Sequence, residues 1–140
     1  MMEKVFVDTN IVLDLLAKRD GFYEAAQELF SKSDNEEIDL YVSALTIANT
    51  HYLLTNRYKA DDVRKIIIKF KILVKVLPTD DKIIDLALAS DFKDFEDAMQ
   101  YHTALENNLD IIVTRNKRDF KNTKLPILTA QEYVELKRIN

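Results

Sequence analysis

Short apolar runs alternate with longer stretches of helical periodicity along the whole chain. The apolar runs, rich in β-branched and aromatic residues, are typical of short buried strands and occupy residues 5–7, 38–43, 74–77, 111–114 and 126–128. The intervening stretches, in which apolar residues recur every three or four positions, occupy residues 10–18, 22–31, 45–58, 59–70, 80–89, 97–107 and 130–138. This alternation predicts an α/β fold: a short parallel sheet of four to five strands flanked by helices on both faces.

Residues that break or cap regular structure divide the predicted elements. Gly21, the only glycine, separates the first two helices, and Pro78 ends the third strand. Thr79 is expected to cap the next helix, with the two aspartates that follow it in the first turn. Asn108 is the expected stop of the helix before the fourth strand, and Thr129 is expected to cap the last helix.

Composition and charge narrow the possible functions. A chain of 140 residues is expected to form one domain over residues 1–140. The absence of cysteine excludes thiolate zinc sites and cysteine nucleophiles, and a single glycine excludes glycine-rich phosphate loops. The net charge of -4 is unlike that of a protein that coats nucleic acid. No leader-like segment or membrane-length apolar run is visible, so we expect a cytoplasmic protein with no membrane contact.

Acidic and amide side chains collect where the predicted strands end. Asp8 follows the first strand directly, and Asn49 lies in the helix after the second. Asp94 and Asp97 stand one turn apart at the start of the helix that precedes the fourth strand. Because successive parallel strands end at the same edge of a sheet, these groups are expected to share one crevice.

Several carboxylates in one crevice repel one another, and a divalent cation relieves that repulsion. Ligands that are all oxygen favour Mg²⁺ or Mn²⁺ over zinc, and we expect Asp8, Asp94 and Asp97 to be the metal ligands. A cation held in this way activates water for attack on phosphorus. The sequence therefore predicts a metal-dependent nuclease.

Four motifs at predicted strand and helix boundaries resemble those of the PIN domain family. They are Val7-Asp8-Thr9-Asn10, Ser43-Ala44-Leu45-Thr46, Phe95-Glu96-Asp97-Ala98 and Val113-Thr114-Arg115-Asn116-Lys117-Arg118-Asp119-Phe120, in that order. The resemblance extends over essentially the whole chain and is closest to the VapC-type toxins of prokaryotic toxin–antitoxin pairs. It implies an endoribonuclease toxin that forms a homodimer and is held inactive by a small antitoxin protein.

The resemblance also assigns catalytic positions. Asp8 matches the first acid of the family, Asp97 the third, and either Asn116 or Asp119 the fourth. The second acid, usually a glutamate, is replaced by Asn49. The neighbouring acids Asp94 and Glu96 are the candidates for supplying the missing charge.

Substrate contacts are expected from polar and basic residues around these acids. The candidates are Thr9, Asn10, Ser43, Thr114, Arg115, Lys117 and Arg118. The three basic residues are candidates for contact with phosphate. Thr9 and Thr114 are expected chiefly to hold Asp8 and Asn116 in place by hydrogen bonds.

Structural explanations exist for the same acids. Asp8 can be a helix cap, Asp97 a first-turn residue that complements the helix dipole, and Asp119 a turn cap. Two functional alternatives also stay open. One is a phosphatase or DNA nuclease that uses the same carboxylates, and the other is a catalytically weakened PIN-like domain that binds RNA or protein.

Overall fold

A parallel five-stranded sheet forms the centre of the computed structural model, which describes residues 2–139. The strands are β1 Lys4–Val7, β2 Asp39–Ser43, β3 Lys75–Leu77, β4 Ile111–Val113 and β5 Ile127–Leu128. Their order across the sheet is β3-β2-β1-β4-β5, and each neighbouring pair runs parallel. The predicted α/β architecture is confirmed.

Seven α-helices connect and cover the strands in the described part of the chain. They are α1 Thr9–Leu16, α2 Tyr23–Asp34, α3 Ala44–Leu54, α4 Ala60–Phe70, α5 Asp81–Leu88, α6 Phe95–Glu106 and α7 Ala130–Ile139. Short 3₁₀ helices follow α4 at Lys71–Leu73 and β4 at Lys117–Asp119. No helix within residues 2–139 is both long enough and apolar enough to cross a membrane.

Both faces of β1 are buried, as expected for the central strand of a covered parallel sheet. On one face, Val5 and Val7 pack into a cluster with Leu29 of α2 and Tyr133 of α7. On the other face, Phe6 packs against residues of α6 and β4. The last three residues of β1, Val5 to Val7, are fully excluded from solvent. The sheet therefore gives the residue after β1 a rigid support.

The strand order places a topological switch point between β1 and β4. The chain passes from β1 to β2 and β3 on one side, then crosses to the other side for β4 and β5. In open α/β sheets, the crevice beyond the carboxyl ends of the strands at such a point is the usual ligand site. Asp8, at the end of β1, donates its backbone N–H to Val113 O of β4 at 3.0 Å, so the two strands are joined at this edge.

Several predicted boundaries are confirmed. Asn108 adopts a left-handed backbone with φ 57° just beyond α6, which is a common way for a helix to end. Thr129 Oγ1 accepts the N–H of Glu132 at 3.1 Å, and Glu132 Oε1 accepts the N–H of Thr129 at 2.9 Å. This reciprocal pair is a capping box at the start of α7.

Two predicted helix starts and one helix end are wrong. Asp80, not Thr79, caps α5 by accepting the N–H of Ile83 at 3.2 Å, and Thr79 Oγ1 instead accepts the N–H of Leu45 at 3.2 Å. Helix α6 starts at Phe95, two residues before the predicted start, because Asp94 supplies its cap. Helix α3 ends at Leu54, short of the predicted residue 58.

Candidate active site

Asp8 lies at the switch point with its carboxylate surrounded by hydrogen-bond donors. It is the N-cap of α1, and its side chain is almost fully buried. Asp8 Oδ1 accepts from the N–H of Thr9 at 2.8 Å and from Gln100 Nε2 at 3.2 Å, and Oδ2 accepts from Thr114 Oγ1 at 2.8 Å. Donors from three separate elements thus fix the orientation of this carboxylate.

Thr114 links Asp8 to the loop after β4. While its hydroxyl donates to Asp8, Thr114 Oγ1 accepts the backbone N–H of Asn116 at 3.1 Å. Thr114 is fully buried, whereas Asn116 is partly exposed. The predicted holding role of Thr114 toward Asp8 and Asn116 is therefore seen in the structure.

The first turn of α6 supplies the other acids. Asp94 Oδ1 accepts the N–H of Asp97 at 3.0 Å as the cap of the helix. Asp94 and Glu96 are exposed, while Asp97 is buried. The cap therefore fixes Asp94 beside Asp97 at the start of α6.

A cavity of about 360 Å³ brings these acids together beyond β1. Its walls are formed by Asp8, Thr9, Asn10, Asn49, Tyr52, Leu53, Asp94, Glu96, Asp97 and Asn116. The prediction that the main acids share one crevice is therefore correct. Asn49, at the second-acid position, and Asn116, one alternative for the fourth position, also line this cavity. No lysine or arginine is among these lining residues, so nothing basic in the cavity wall offsets the carboxylates.

Burial and uncompensated charge both act on Asp97. Burial, and then the carboxylates of Asp8, Asp94, Asp119 and Glu96, together raise the pKa of Asp97 from 3.8 to about 7. A carboxyl group with such a pKa carries a proton for much of the time near neutrality. A cation bound in this cavity would compete with that proton.

The donor set fits a hard divalent cation that keeps much of its water. Carboxylate oxygens of Asp8, Asp94 and Asp97 and amide oxygens of Asn49 and Asn116 are available at one cavity. Within residues 2–139, no three Asp, Glu or His side chains form a group that would hold a metal ion by themselves. Mg²⁺ is commonly held by one or two carboxylates with several waters, and the cavity matches that mode rather than a closed cage.

Direct substrate contact was predicted wrongly for two residues. Ser43 and Thr114 are both fully buried, so no substrate reaches them. Ser43 caps α3 by accepting the N–H of Thr46 at 3.0 Å. Thr9 and Asn10, in contrast, line the cavity as predicted candidates for contact.

The three predicted phosphate-contacting basic residues do not line the acidic cavity. Arg115 turns away from it: its Nη1 donates to Asp14 Oδ1 at 3.1 Å, and its guanidinium carbon lies 3.6 Å from the Phe22 ring centroid. Lys117 Nζ donates to Glu132 Oε1 at 2.8 Å. Arg118 borders a separate depression. None of the three basic residues therefore lines the cavity with the acids in this structure.

Arg115 instead borders a larger cavity of about 850 Å³ with Asp14 and Phe22. Asn10 and Asn116 line both cavities, so the two adjoin. Burial raises the pKa of Asp14, while Arg115 and then Arg19 act to lower it. The Asp14–Arg115 pair was not anticipated, because a lone aspartate in an apolar helical stretch has no partner visible in the sequence.

Asn116 and Asp119 were alternatives for the fourth position. Asn116 lines the acidic cavity, whereas Asp119 is exposed and borders the neighbouring depression with Arg118. Asp119 nevertheless lies near enough to contribute to the raised pKa of Asp97. Of the two residues, Asn116 is the one that faces the acids in this structure.

Sequence reasoning missed Gln100, Tyr52 and Leu53. Gln100 is buried and donates to Asp8, while the two others form an apolar part of the cavity wall. Helical spacing was the available signal. Gln100 follows Asp97 by three residues, and Tyr52 follows Asn49 by three, so each shares a helix face with a candidate site residue.

A family model described as the PIN domain matches residues 4–118, and the chain belongs to that family. The chain is also 27% identical over 137 residues to Ribonuclease VapC1 of Aquifex aeolicus (strain VF5), with 95% of this chain and 94% of the relative covered. The expected family membership and its resemblance to VapC proteins are confirmed.

Solved structures of toxin–antitoxin proteins share the fold. A toxin–antitoxin complex from Klebsiella pneumoniae matches with a TM-score of 0.68 at 19% identity, covering 90% of this chain and 97% of that chain. Mycobacterium tuberculosis VapC20, a sarcin-ricin loop cleaving toxin, matches with a TM-score of 0.62 at 17% identity, covering 77% and 86%. At these identities the matches establish the architecture.

Proposed function

We propose that this protein is a metal-dependent endoribonuclease, the toxin of a toxin–antitoxin pair, which uses Mg²⁺ or Mn²⁺. The observation that carries the proposal is the acidic cavity at the switch point, where Asp8, Asp94 and Asp97 meet with no basic residue in the wall. The raised pKa of Asp97 supports it, because burial and then the surrounding carboxylates both oppose the charge of Asp97, and a bound cation would offset both effects. The relative named as a ribonuclease supports the choice of RNA.

One or two carboxylates from the set Asp8, Asp97 and Asp94 would hold the cation together with its waters, with amide oxygens of Asn49 and Asn116 beside them. A bound Mg²⁺ or Mn²⁺ supplies charge for the scissile phosphate and lowers the pKa of a coordinated water. Asp8, fixed by its donors from Thr9, Gln100 and Thr114, sets the position of the ligand set. Once deprotonated, Asp97 adds the charge that the cation needs.

Single-stranded RNA is the substrate form that the cavity rim favours. Tyr52 is 70% exposed and Leu53 is 41% exposed, and both line the cavity next to the acids. An exposed tyrosine ring offers a stacking surface to an unpaired base. Because the cavity has no lysine or arginine, stacking and the cation would take the place of basic side chains in attracting the RNA.

We propose a small antitoxin as the protein partner and a homodimer as the working assembly. A structurally similar toxin–antitoxin complex supports the first of these, and the resemblance to VapC-type toxins supports both. RNA and antitoxin are both met in the cytoplasm, which is the proposed location. Sedimentation of the purified protein with and without a co-expressed antitoxin measures both assemblies.

The deciding experiment is cleavage of a single-stranded RNA by the purified protein with Mn²⁺, with Mg²⁺ and with EDTA. We expect cleavage with either cation and none with EDTA. Single-stranded DNA of the same sequence and a phosphate monoester serve as parallel substrates, and preferred hydrolysis of either identifies a DNA nuclease or a phosphatase. RNA that is bound but left intact at all metal concentrations identifies a binding domain and overturns the proposal.

A further inference from the structure

A buried polar network behind the acidic cavity centres on Gln100 of α6. Gln100 Nε2 donates to Asp8 Oδ1 at 3.2 Å and to Thr46 Oγ1 at 2.7 Å, and Gln100 Oε1 accepts from Ser43 Oγ at 2.6 Å. Gln100 is 2% exposed, and Ser43 and Thr46 are fully buried. A side-chain amide in a core is costly unless its hydrogen bonds are made, and here both N–H groups and the oxygen have partners.

The carboxylate of Asp8 determines which way the amide of Gln100 points. An ionised carboxylate only accepts hydrogen bonds, so the NH₂ group must face Asp8 and the carbonyl must face Ser43. The single hydroxyl hydrogen of Ser43 is then committed to Gln100 Oε1. Thr46 Oγ1 accepts from Gln100, which leaves its own hydrogen for another oxygen.

Thr9 is the nearer acceptor for that hydrogen. Thr46 Oγ1 lies 2.9 Å from Thr9 Oγ1 and 3.3 Å from Ser43 Oγ. When Thr46 donates to Thr9, the hydroxyl hydrogen of Thr9 is free. Because Thr9 lines the acidic cavity, that hydrogen is available to an oxygen atom within the cavity.

We propose that Gln100 is a positioning residue: it fixes Asp8 for the cation and, through Thr46, orients the Thr9 hydroxyl to donate to a phosphate oxygen of the substrate. This inference rests on the proposed function, because it takes Asp8 as a metal ligand. Gln100 itself touches neither cation nor substrate. Its position on α6 couples Asp8 to the same helix that supplies Asp94 and Asp97.

Glutamine suits this position better than the residues closest to it in size. Leucine or methionine fills the space but offers no donor to Asp8, and it leaves the hydroxyls of Ser43 and Thr46 without their buried partner. Glutamate would bring a further negative charge against Asp8. Only an amide donates twice and accepts once in this arrangement.

The test is Mn²⁺ binding by Gln100→Met, measured by calorimetric titration without RNA. Loss of a partner that orients a metal ligand typically weakens metal affinity roughly 10–100-fold, and we expect a loss in that range. Cleavage of RNA should recover partly at high Mn²⁺. Unchanged Mn²⁺ affinity in a folded Gln100→Met protein overturns the inference.

Thr103→Val is the matched control. Thr103 is fully buried on the same helix one turn further on, and its hydroxyl donates to Met99 O at 2.7 Å within α6. This variant should lose stability and keep its Mn²⁺ affinity, which separates positioning from general weakening of the helix. Equal loss of Mn²⁺ affinity in Thr103→Val and Gln100→Met contradicts a specific role for Gln100.

Two further variants keep the test decisive. Should Gln100→Met fail to fold, Thr46→Val removes one acceptor of the amide, and we expect weaker Mn²⁺ binding; unchanged binding overturns the inference.

Asp8→Asn tests the proposed function separately. If Asp8→Asn abolishes Mn²⁺ binding while Gln100→Met and Thr46→Val leave it intact, only the role of Gln100 is wrong. If Asp8→Asn itself binds Mn²⁺ normally, the proposed function fails.

Discussion

Thr114 Oγ1 donates a hydrogen bond of 2.8 Å to Asp8 Oδ2, and so ties the ends of β1 and β4 together across 106 positions of sequence. The bond occupies one carboxylate oxygen of Asp8, while the other receives the N–H of Thr9 and the amide of Gln100. An aspartate that served only to cap α1 would need one of these donors. The further donors, Gln100 and Thr114, hold both oxygens of this carboxylate in place beside the cavity.

Asp8→Asn should abolish RNA cleavage and leave the fold intact. Asparagine still caps α1. Its NH₂ group, however, replaces a carboxylate oxygen that accepts hydrogen bonds, and so it faces another donor. This loss of a buried hydrogen bond should cost about 1–3 kcal/mol of stability. The cleavage rate should fall by more than the roughly 100-fold loss expected when a residue that only orients a metal ligand is removed. Circular dichroism and RNA cleavage rates at low Mn²⁺ measure the two effects. Wild-type cleavage rates in this variant would show that Asp8 is not a ligand.

Divalent cations should stabilise the folded protein. Binding to the native state alone adds about 2.7 kcal/mol when the cation is at a hundred times its Kd, which for a chain of this size raises the Tm by roughly 5–10 °C. Thermal melts with EDTA, Mg²⁺ and Mn²⁺ measure the shift in Tm. Asp97→Asn serves as the control, and we expect the cations to shift its Tm less. A Tm that millimolar Mn²⁺ does not move argues against a metal site at these carboxylates.

The raised pKa of Asp97 predicts how stability without metal depends on pH. Burial, and then the carboxylates around it, move this pKa from 3.8 to about 7. Between these values the folded chain holds a proton that the unfolded chain has lost, so stability falls as the pH rises through this window. Below this pH window Asp97 is protonated in both the folded and the unfolded chain, so its charge no longer destabilises the fold.

Asp97→Asn should therefore melt at a higher temperature than the wild type at pH 8 in EDTA. The difference should shrink steadily as the pH approaches 4, because the wild-type carboxyl group is then neutral as well. Melts of both proteins across this range give the comparison. A difference that does not change with pH would assign the effect to packing rather than to the charge of Asp97.

Asn49 and Asp94 should respond differently to changes of charge. Asp94→Asn keeps the cap of α6 and removes a carboxylate from the cavity, so Mn²⁺ binding should weaken. Asn49→Glu adds a carboxylate to a cavity that already contains Asp94 and Glu96, and the added charge favours a bound proton. We expect little gain in Mn²⁺ affinity for Asn49→Glu at pH 6.5 and tighter binding at pH 8.5.

Calorimetric titrations of both variants at the two pH values test this pair. Wild-type affinity in Asp94→Asn would show that Asp94 does not supply the charge missing at Asn49. If Asn49→Glu also binds Mn²⁺ like the wild type at both pH values, the match of α3 to the second-acid position is wrong.

Tyr52→Ala should raise KM for single-stranded RNA and leave kcat nearly unchanged. Base stacking on an aromatic side chain contributes about 1–3 kcal/mol per base, which corresponds to a rise in KM of roughly 5- to 150-fold. Tyr58→Ala is the control, since Tyr58 is 39% exposed and is not among the residues that line the cavity. An equal KM in wild type and Tyr52→Ala would remove the stacking contact from the proposal.

Local chemistry explains which parts of the fold the sequence could predict. The run Val5 to Val7 and the buried residues of β4 are short and apolar, so their strands were placed to within one residue. Thr79 and Asp80 are both good caps, and the choice between them depended on Leu45, a distant residue whose N–H bonds to Thr79. Capping preference alone cannot resolve such a pair.

The site was predictable where a residue follows a strand or caps a helix, as Asp8 and Asp94 do. The direction in which a side chain points was not predictable. Arg115 belongs to the same loop as Asn116, yet it turns toward Asp14 and Phe22, which lie about a hundred positions earlier in the chain. Gln100 was missed because a single amide in a helix is typical of the surface, and only its three buried partners reveal its position.

The pairing of Asp8 with Gln100 and Thr114, 92 and 106 positions later, also has a consequence for synthesis of the chain. Asp8 emerges from the ribosome 92 residues before Gln100 and 106 residues before Thr114. Until β4 has emerged, β1 lacks one of its two neighbours, and the carboxylate lacks the Thr114 donor, which follows β4. The hydrogen bonds that fix Asp8 are therefore incomplete until the chain as far as Thr114 has emerged.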